Sequence, residues 1–80
     1  MSTEAAQRSH AINYLRLAVA WLVIETKASE FGFGFDEDLE RARKTEDEAY
    51  ENAIDVLGED EAASLVHATR ALCTAAVSPH

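Results

Sequence analysis

Apolar positions repeat with a helical period in three stretches of the chain, and the glycines fall between these stretches. No glycine or proline occurs from Glu4 to Ser29. Ser2 or Thr3 is placed to cap a helix there, and Glu4 in its first turn suits the helix dipole. At about 100° per residue, Ile12, Leu15, Val19, Leu22 and Val23 share one face. Tyr14, Leu17, Trp21 and Ile24 lie on nearly the opposite face. A helix in a minimal bundle needs one apolar stripe. This one has two over its C-terminal half, so either two helices flank it or Tyr14, Leu17, Trp21 and Ile24 meet a second subunit.

A second helix is expected from Asp36 or Asp38, as its cap, to Gly58, with Leu39, Ala42, Ala49, Tyr50, Ala53, Ile54 and Leu57 as its apolar stripe. Glu46 falls inside that stripe, a local conflict. Thr45-Glu46-Asp47-Glu48 also reads as a capping box, so a break or restart near Thr45 is an open alternative. Asp60 is the expected cap of a third helix, which turns Ala62, Leu65, Val66, Thr69, Leu72, Cys73 and Ala76 inward and stops at Ser78-Pro79. Between the first two helices, Phe31, Phe33 and Phe35 alternate with Gly32 and Gly34. An extended segment would put all three rings on one side, either capping the end of the bundle or forming an exposed aromatic tongue. The pattern therefore predicts an all-α fold, a small bundle of about three helices within a single domain covering residues 1–80.

Composition sharpens this picture in one respect. Hydrophobic residues make up 48% of the 80 positions, but fifteen of them are alanine, so the core is thin and oligomerisation is one way to complete it. The formal charge of −8 is unevenly placed. Residues 30–61 carry thirteen carboxylates against Arg41, Arg43 and Lys44, whereas both flanks are slightly positive. Such a field repels nucleic acid and acidic membrane surfaces and attracts basic protein surfaces. The apolar run Leu17–Ile24 is far shorter than the ~20 residues a bilayer requires, and no signal-peptide pattern precedes it. A cytoplasmic protein is the expectation, in the host cytoplasm if the gene is carried by a phage.

Motifs for catalysis or ligand binding fail one by one. Asp36-x-Asp38-x-Glu40 opens like a calcium loop, but Arg41 stands where a glycine is needed and Asp47 where a bidentate glutamate is needed. Gly32-Phe-Gly34 lacks a third glycine and runs into Asp36, Glu37 and Asp38, which would repel a phosphate. His10, His67 and His80 have no ligand spacing, and His67 is expected at the surface beside Arg70 and Thr74. Cys73 sits on an inward stripe as a small apolar residue, without an electropositive setting to activate it. No enzyme, metal site or cofactor is expected. The feature with content is the outer face of the second helix, where Glu37, Glu40, Asp47, Glu48, Glu51 and Asp55 recur at three- and four-residue spacings. Lys44 interrupts them and can pair with Glu40. Carboxylates four residues apart are roughly 6 Å apart along a helix, comparable to the phosphate spacing of a nucleic-acid strand.

In size, helical character and charge the whole chain resembles the small acidic inhibitor proteins of phages and mobile elements, the anti-CRISPR proteins in particular. The segments Asp36-Glu-Asp-Leu-Glu and Glu46-Asp-Glu-Ala-Tyr-Glu carry the likeness, which is one of type without a shared motif. The resemblance implies a protein without catalysis that blocks the nucleic-acid channel of a CRISPR effector by steric exclusion and nucleic-acid mimicry. Its partner would be a basic nucleic-acid-binding protein or complex, with no direct contact to nucleic acid or membrane. Glu37, Glu40, Asp47, Glu48, Glu51 and Asp55 would make the contacts, with Phe31 and Phe33 as anchors. The alternative from another class is a structural or accessory subunit, a homodimer included, that works through the Tyr14/Leu17/Trp21/Ile24 face. A DNA-binding regulator would need a basic surface that Arg8, Arg16 and Arg70 hardly provide.

Overall fold

A computed structural model describes residues 3–77. Three helices account for nearly all of them: α1 (Thr3–Glu30), α2 (Asp36–Leu57) and α3 (Glu59–Val77). Each packs against the other two. Glu4, Gln7 and Arg8 share a cleft with Asp55 and Val56, so the end of α2 lies by the start of α1 and the two run antiparallel. Arg8 Nη2 donates to Glu61 Oε2 at 2.6 Å, which sets the start of α3 beside the same end of α1. The result is an all-α up-down-up bundle measuring 45 × 28 × 21 Å, with no strand among the described residues.

The core follows the first α1 stripe. Leu15 and Val19 are the largest fully buried side chains, and Ala18, Val23, Ala49, Ala53 and Ala62 complete the buried cluster. Tyr14, Tyr50, Ile54, Leu57, Leu65, Val66, Cys73 and Val77 pack around it half-buried. Alanine at most of the contact positions lets the helix backbones approach closely, but each alanine removes little apolar area from water.

The helix ends differ from the expected caps. Thr3 is helical rather than capping, while Ser2 and the Ser78-Pro79 stop lie outside the described residues. Phe35, not Asp36 or Asp38, occupies the N-cap of α2, with extended φ −108° and ψ 139° and no side-chain hydrogen bond. Asp36, Glu37 and Asp38 fill the first turn, where their charge meets the helix dipole. Asp60 likewise lies within the first turn of α3, because the backbone of Gly58 starts that helix by accepting from the Ala62 N–H. No break occurs at Thr45; its hydroxyl donates back to the Arg41 carbonyl at 2.8 Å and α2 continues through it.

The five residues from Phe31 to Phe35 turn the chain by backbone bonding. Gly32 N–H donates to Ser29 O at 3.1 Å and Phe33 N–H to Ala28 O at 2.8 Å, the paired bonds of a Schellman ending. Gly34 then lies against the helix it has just left, and a Cβ there would come within 2.9 Å of the Ser29 nitrogen. Between α2 and α3 there is one residue, Gly58, at φ 95° and ψ 157°, a conformation essentially reserved for glycine.

Two stability measurements test this account. Leu15→Ala removes the larger of the two wholly buried anchors and is expected to cost about 2–4 kcal/mol in urea unfolding. Gly34→Ala forces side chain onto backbone and is expected to cost about 1–3 kcal/mol; an unchanged urea midpoint would refute the close approach.

Candidate protein-binding surfaces

The outer face of α2 forms as its spacing implies. Its buried positions, Ala42, Ala49 and Ala53, lie on one side. Glu37, Glu40, Asp47, Glu48, Glu51 and Asp55 fall within about 100° of arc on the other, and all six are exposed. They extend over about 27 Å of helix. Lys44 lies among them, also exposed, without the expected ion pair to Glu40. The ion pair of the first turn is instead Arg41–Asp38 at 3.7 Å, off this face. Glu59, Asp60 and Glu61 continue the acidic surface onto the start of α3.

The large apolar side chains left in solvent form the second surface. Phe31, Phe33 and Phe35 are 60%, 81% and 71% exposed, so the rings do not cap the bundle. The last carbonyls of α1 accept from the backbone N–H groups of Gly32, Phe33 and Gly34 and need no ring over them, and Phe31 is still in helical register, its N–H donating to Lys27 O. On the outer face of α1, Leu17 and Ile24 are exposed. Tyr14 and Trp21 are half-buried at its margin, and Trp21 Nε1 donates to Glu25 Oε1 at 3.2 Å. The second stripe of the first helix is therefore left uncovered by α2 and α3 along its centre. Leu72 and Ala76, expected inward, are exposed too. A seven-residue repeat drifts about 20° around the helix, so Leu65 stays half-buried while Leu72 reaches the rim and Cys73 takes the inward place.

Glu46 is the charged group the sequence left in conflict, and Arg70 resolves it. Arg70 Nη2 donates to Glu46 Oε1 at 3.3 Å across the α2–α3 contact; the Glu46 side chain is only 15% exposed. Glu46 Oε2 is buried without a hydrogen-bond partner. Neither this pair nor Arg8–Glu61 was legible beforehand, since both join positions on different helices. Arg70 stands between open grooves of about 360 and 420 Å3, the first lined by Leu22, Val23 and Thr26, the second by Tyr50, Val66 and His67. His67 is exposed, as expected. No group of three or more His, Cys, Asp or Glu side chains among the described residues could hold a metal ion. No helix among them is long and apolar enough to cross a membrane.

Fold and surfaces together define a class: a three-helix bundle with an acidic middle helix and an uncovered apolar helix face. Compared with family models, curated proteins and solved structures, the chain finds no match.

The Glu46–Arg70 contact makes a paired prediction. Arg70→Met strands a mostly buried carboxylate and is expected to destabilise by about 1–2 kcal/mol. Glu46→Leu extends the apolar stripe, removes the unpartnered oxygen, and is expected to be neutral or stabilising by up to about 1 kcal/mol. Thermal melts of both variants check the pair, and a large loss in Glu46→Leu would contradict it.

Proposed function

We propose that the protein is a binding protein without catalysis, whose α2 face occupies a basic surface on a nucleic-acid-binding protein or complex and excludes the nucleic acid. The observation that carries this reading is the exposure of six carboxylates on one face of α2. Lys44 lies among them, and Arg41 and Arg43 border the face, lining a cleft with Glu37, Glu40 and Asp47, so the carboxylates outnumber the cations there. Solubility needs net charge but not its concentration on one helix face while both flanking segments are slightly positive.

The chemistry favours a basic protein over other partners. Nucleic acid and anionic lipid are repelled by this face. A groove built to hold a phosphate backbone presents arginines and lysines along its length, and a rigid row of carboxylates about 27 Å long meets the same donors. Phe31 and Phe33, exposed just before the start of α2, supply apolar contact at one end of that row. The DNA channel of a CRISPR effector, the target that the resemblance to anti-CRISPR proteins implies, is a surface of this kind.

The test is capture of partners from nuclease-treated lysate of the native host, at low and high salt. A nucleic-acid-binding complex retained at low salt and released at high salt is expected, and added nucleic acid should compete for it. Neutralising Glu40, Asp47 and Glu51 as Glu→Gln, Asp→Asn and Glu→Gln should weaken that capture by ~10-fold or more with helicity intact. Unchanged capture by the triple variant would sink the proposal.

A further inference from the structure

We propose that α1 carries a self-complementary seam, Tyr14, Leu17, Trp21, Ile24, Ala28 and Phe31, through which it packs against α1 of a second copy of this chain. This inference does not rest on the acidic face, which belongs to another helix.

The spacing is the first argument. These six positions are separated by three, four, three, four and three residues, the alternation that keeps one narrow stripe facing a partner helix. The stripe leads from the middle of α1 to its last hydrogen-bonded turn, which includes Phe31. Its centre is bare: Leu17 is 72%, Ile24 54% and Phe31 60% exposed. Ala28 between the last two is half-buried against Gly34 of the same chain, so the open positions of the stripe are Leu17, Ile24 and Phe31.

Area is the second argument. A compact monomer of 8.8 kDa exposes about 4800 Å2, whereas this chain exposes 5678 Å2. The excess, about 900 Å2, matches the ~800 Å2 that one partner contributes to a standard stable interface. Of the large apolar side chains left in solvent, Leu17 and Ile24 lie on α1 and Phe31 directly at its end.

Charge selects the occupant. Two copies, each with a net charge of −8, repel wherever their α2 faces meet. From Tyr14 to Phe31 the charges are Arg16 and Lys27 against Glu25 and Glu30, which balance. Glu25 is held by the Trp21 indole and Glu30 by Lys27, at 3.3 Å. The α1 outer face is thus a surface on which a second copy can dock without bringing net like charge together. A two-fold arrangement then uses the same patch on both copies.

Sedimentation equilibrium of the full chain between about 1 µM and 1 mM tests this, with a mass of twice 8.8 kDa expected at the upper end. Leu17→Glu with Ile24→Glu should raise the dissociation constant at least ~100-fold while helicity is retained, since both side chains are exposed. Phe33→Ser with Leu72→Ser removes exposed apolar groups off the seam and should leave association unchanged. Trp21, the single tryptophan, reports on the unaltered chain: dilution should make it more accessible to acrylamide. A monomer at every concentration would overturn the seam. So would a dimer that the seam variant leaves intact or the off-seam variant dissolves, or a Trp21 accessibility that ignores dilution.

Discussion

Everything in this bundle depends on alanine at the places where the helices touch. Ala11, Ala18, Ala42, Ala49, Ala53 and Ala62 are all buried, and among the described residues only Leu15 and Val19 are large and wholly enclosed. Small contact residues bring backbones close, which gives good packing along the axes and little width to the core. The apolar area removed from water is correspondingly small for the length of helix ordered. Helices this close also have narrow shared faces, and a side chain slightly off centre is left at the rim. Leu72 beside inward Cys73 shows this on α3. Leu17 and Ile24, on nearly the opposite side of α1 from Leu15 and Val19, are exposed because two neighbouring helices do not reach around to them.

The connections reinforce that geometry. Gly58 alone joins α2 to α3, so α3 must begin as soon as α2 stops, and its first turn necessarily consists of Glu59, Asp60 and Glu61. At the other end the chain leaves α1 through backbone hydrogen bonds to Ala28 and Ser29, and Gly34 passes tightly over that turn. With the backbone satisfied by itself, the phenylalanines are not needed as lids. Their exposure follows from the way the helix ends. It places aromatic surface next to the first acidic turn of α2.

Periodicity made the three helices, the inward stripe of α1 and the outward acidic face of α2 legible, because each depends only on angle around a single axis. The helix caps were less legible. Three consecutive acids at Asp36–Asp38 leave the cap ambiguous by two positions, and the conformation of Phe35 decided it. The capping box at Thr45 was overridden by packing of Ala42, Ala49 and Ala53 on one continuous face. Glu46 looked like an error in the stripe until Arg70, from another helix, was found beside it. What a single sequence withholds is the relation between helices, and the Glu46–Arg70 contact, the fate of Leu72 and the bare centre of the second α1 stripe are all of that kind.

The acidic and apolar surfaces respond oppositely to solvent, and that gives their separation a consequence. Salt screens the carboxylates of α2, whereas apolar contact on α1 is insensitive to it or strengthened by excluded salts. Binding through one face therefore leaves the other free to work under the same conditions, except at Phe31, which both uses share. A two-fold seam on α1 would carry two α2 faces on one particle. A target offering two basic grooves would then meet the second face at an effective concentration set by the dimer's rigid geometry, so modest electrostatic affinity per face would suffice. A monomer would need more affinity from each acidic residue, and exposed pairs rarely supply much individually. On this chain, whose core is too thin to bury its own second stripe, self-association and electrostatic docking would be complementary uses of what folding leaves exposed.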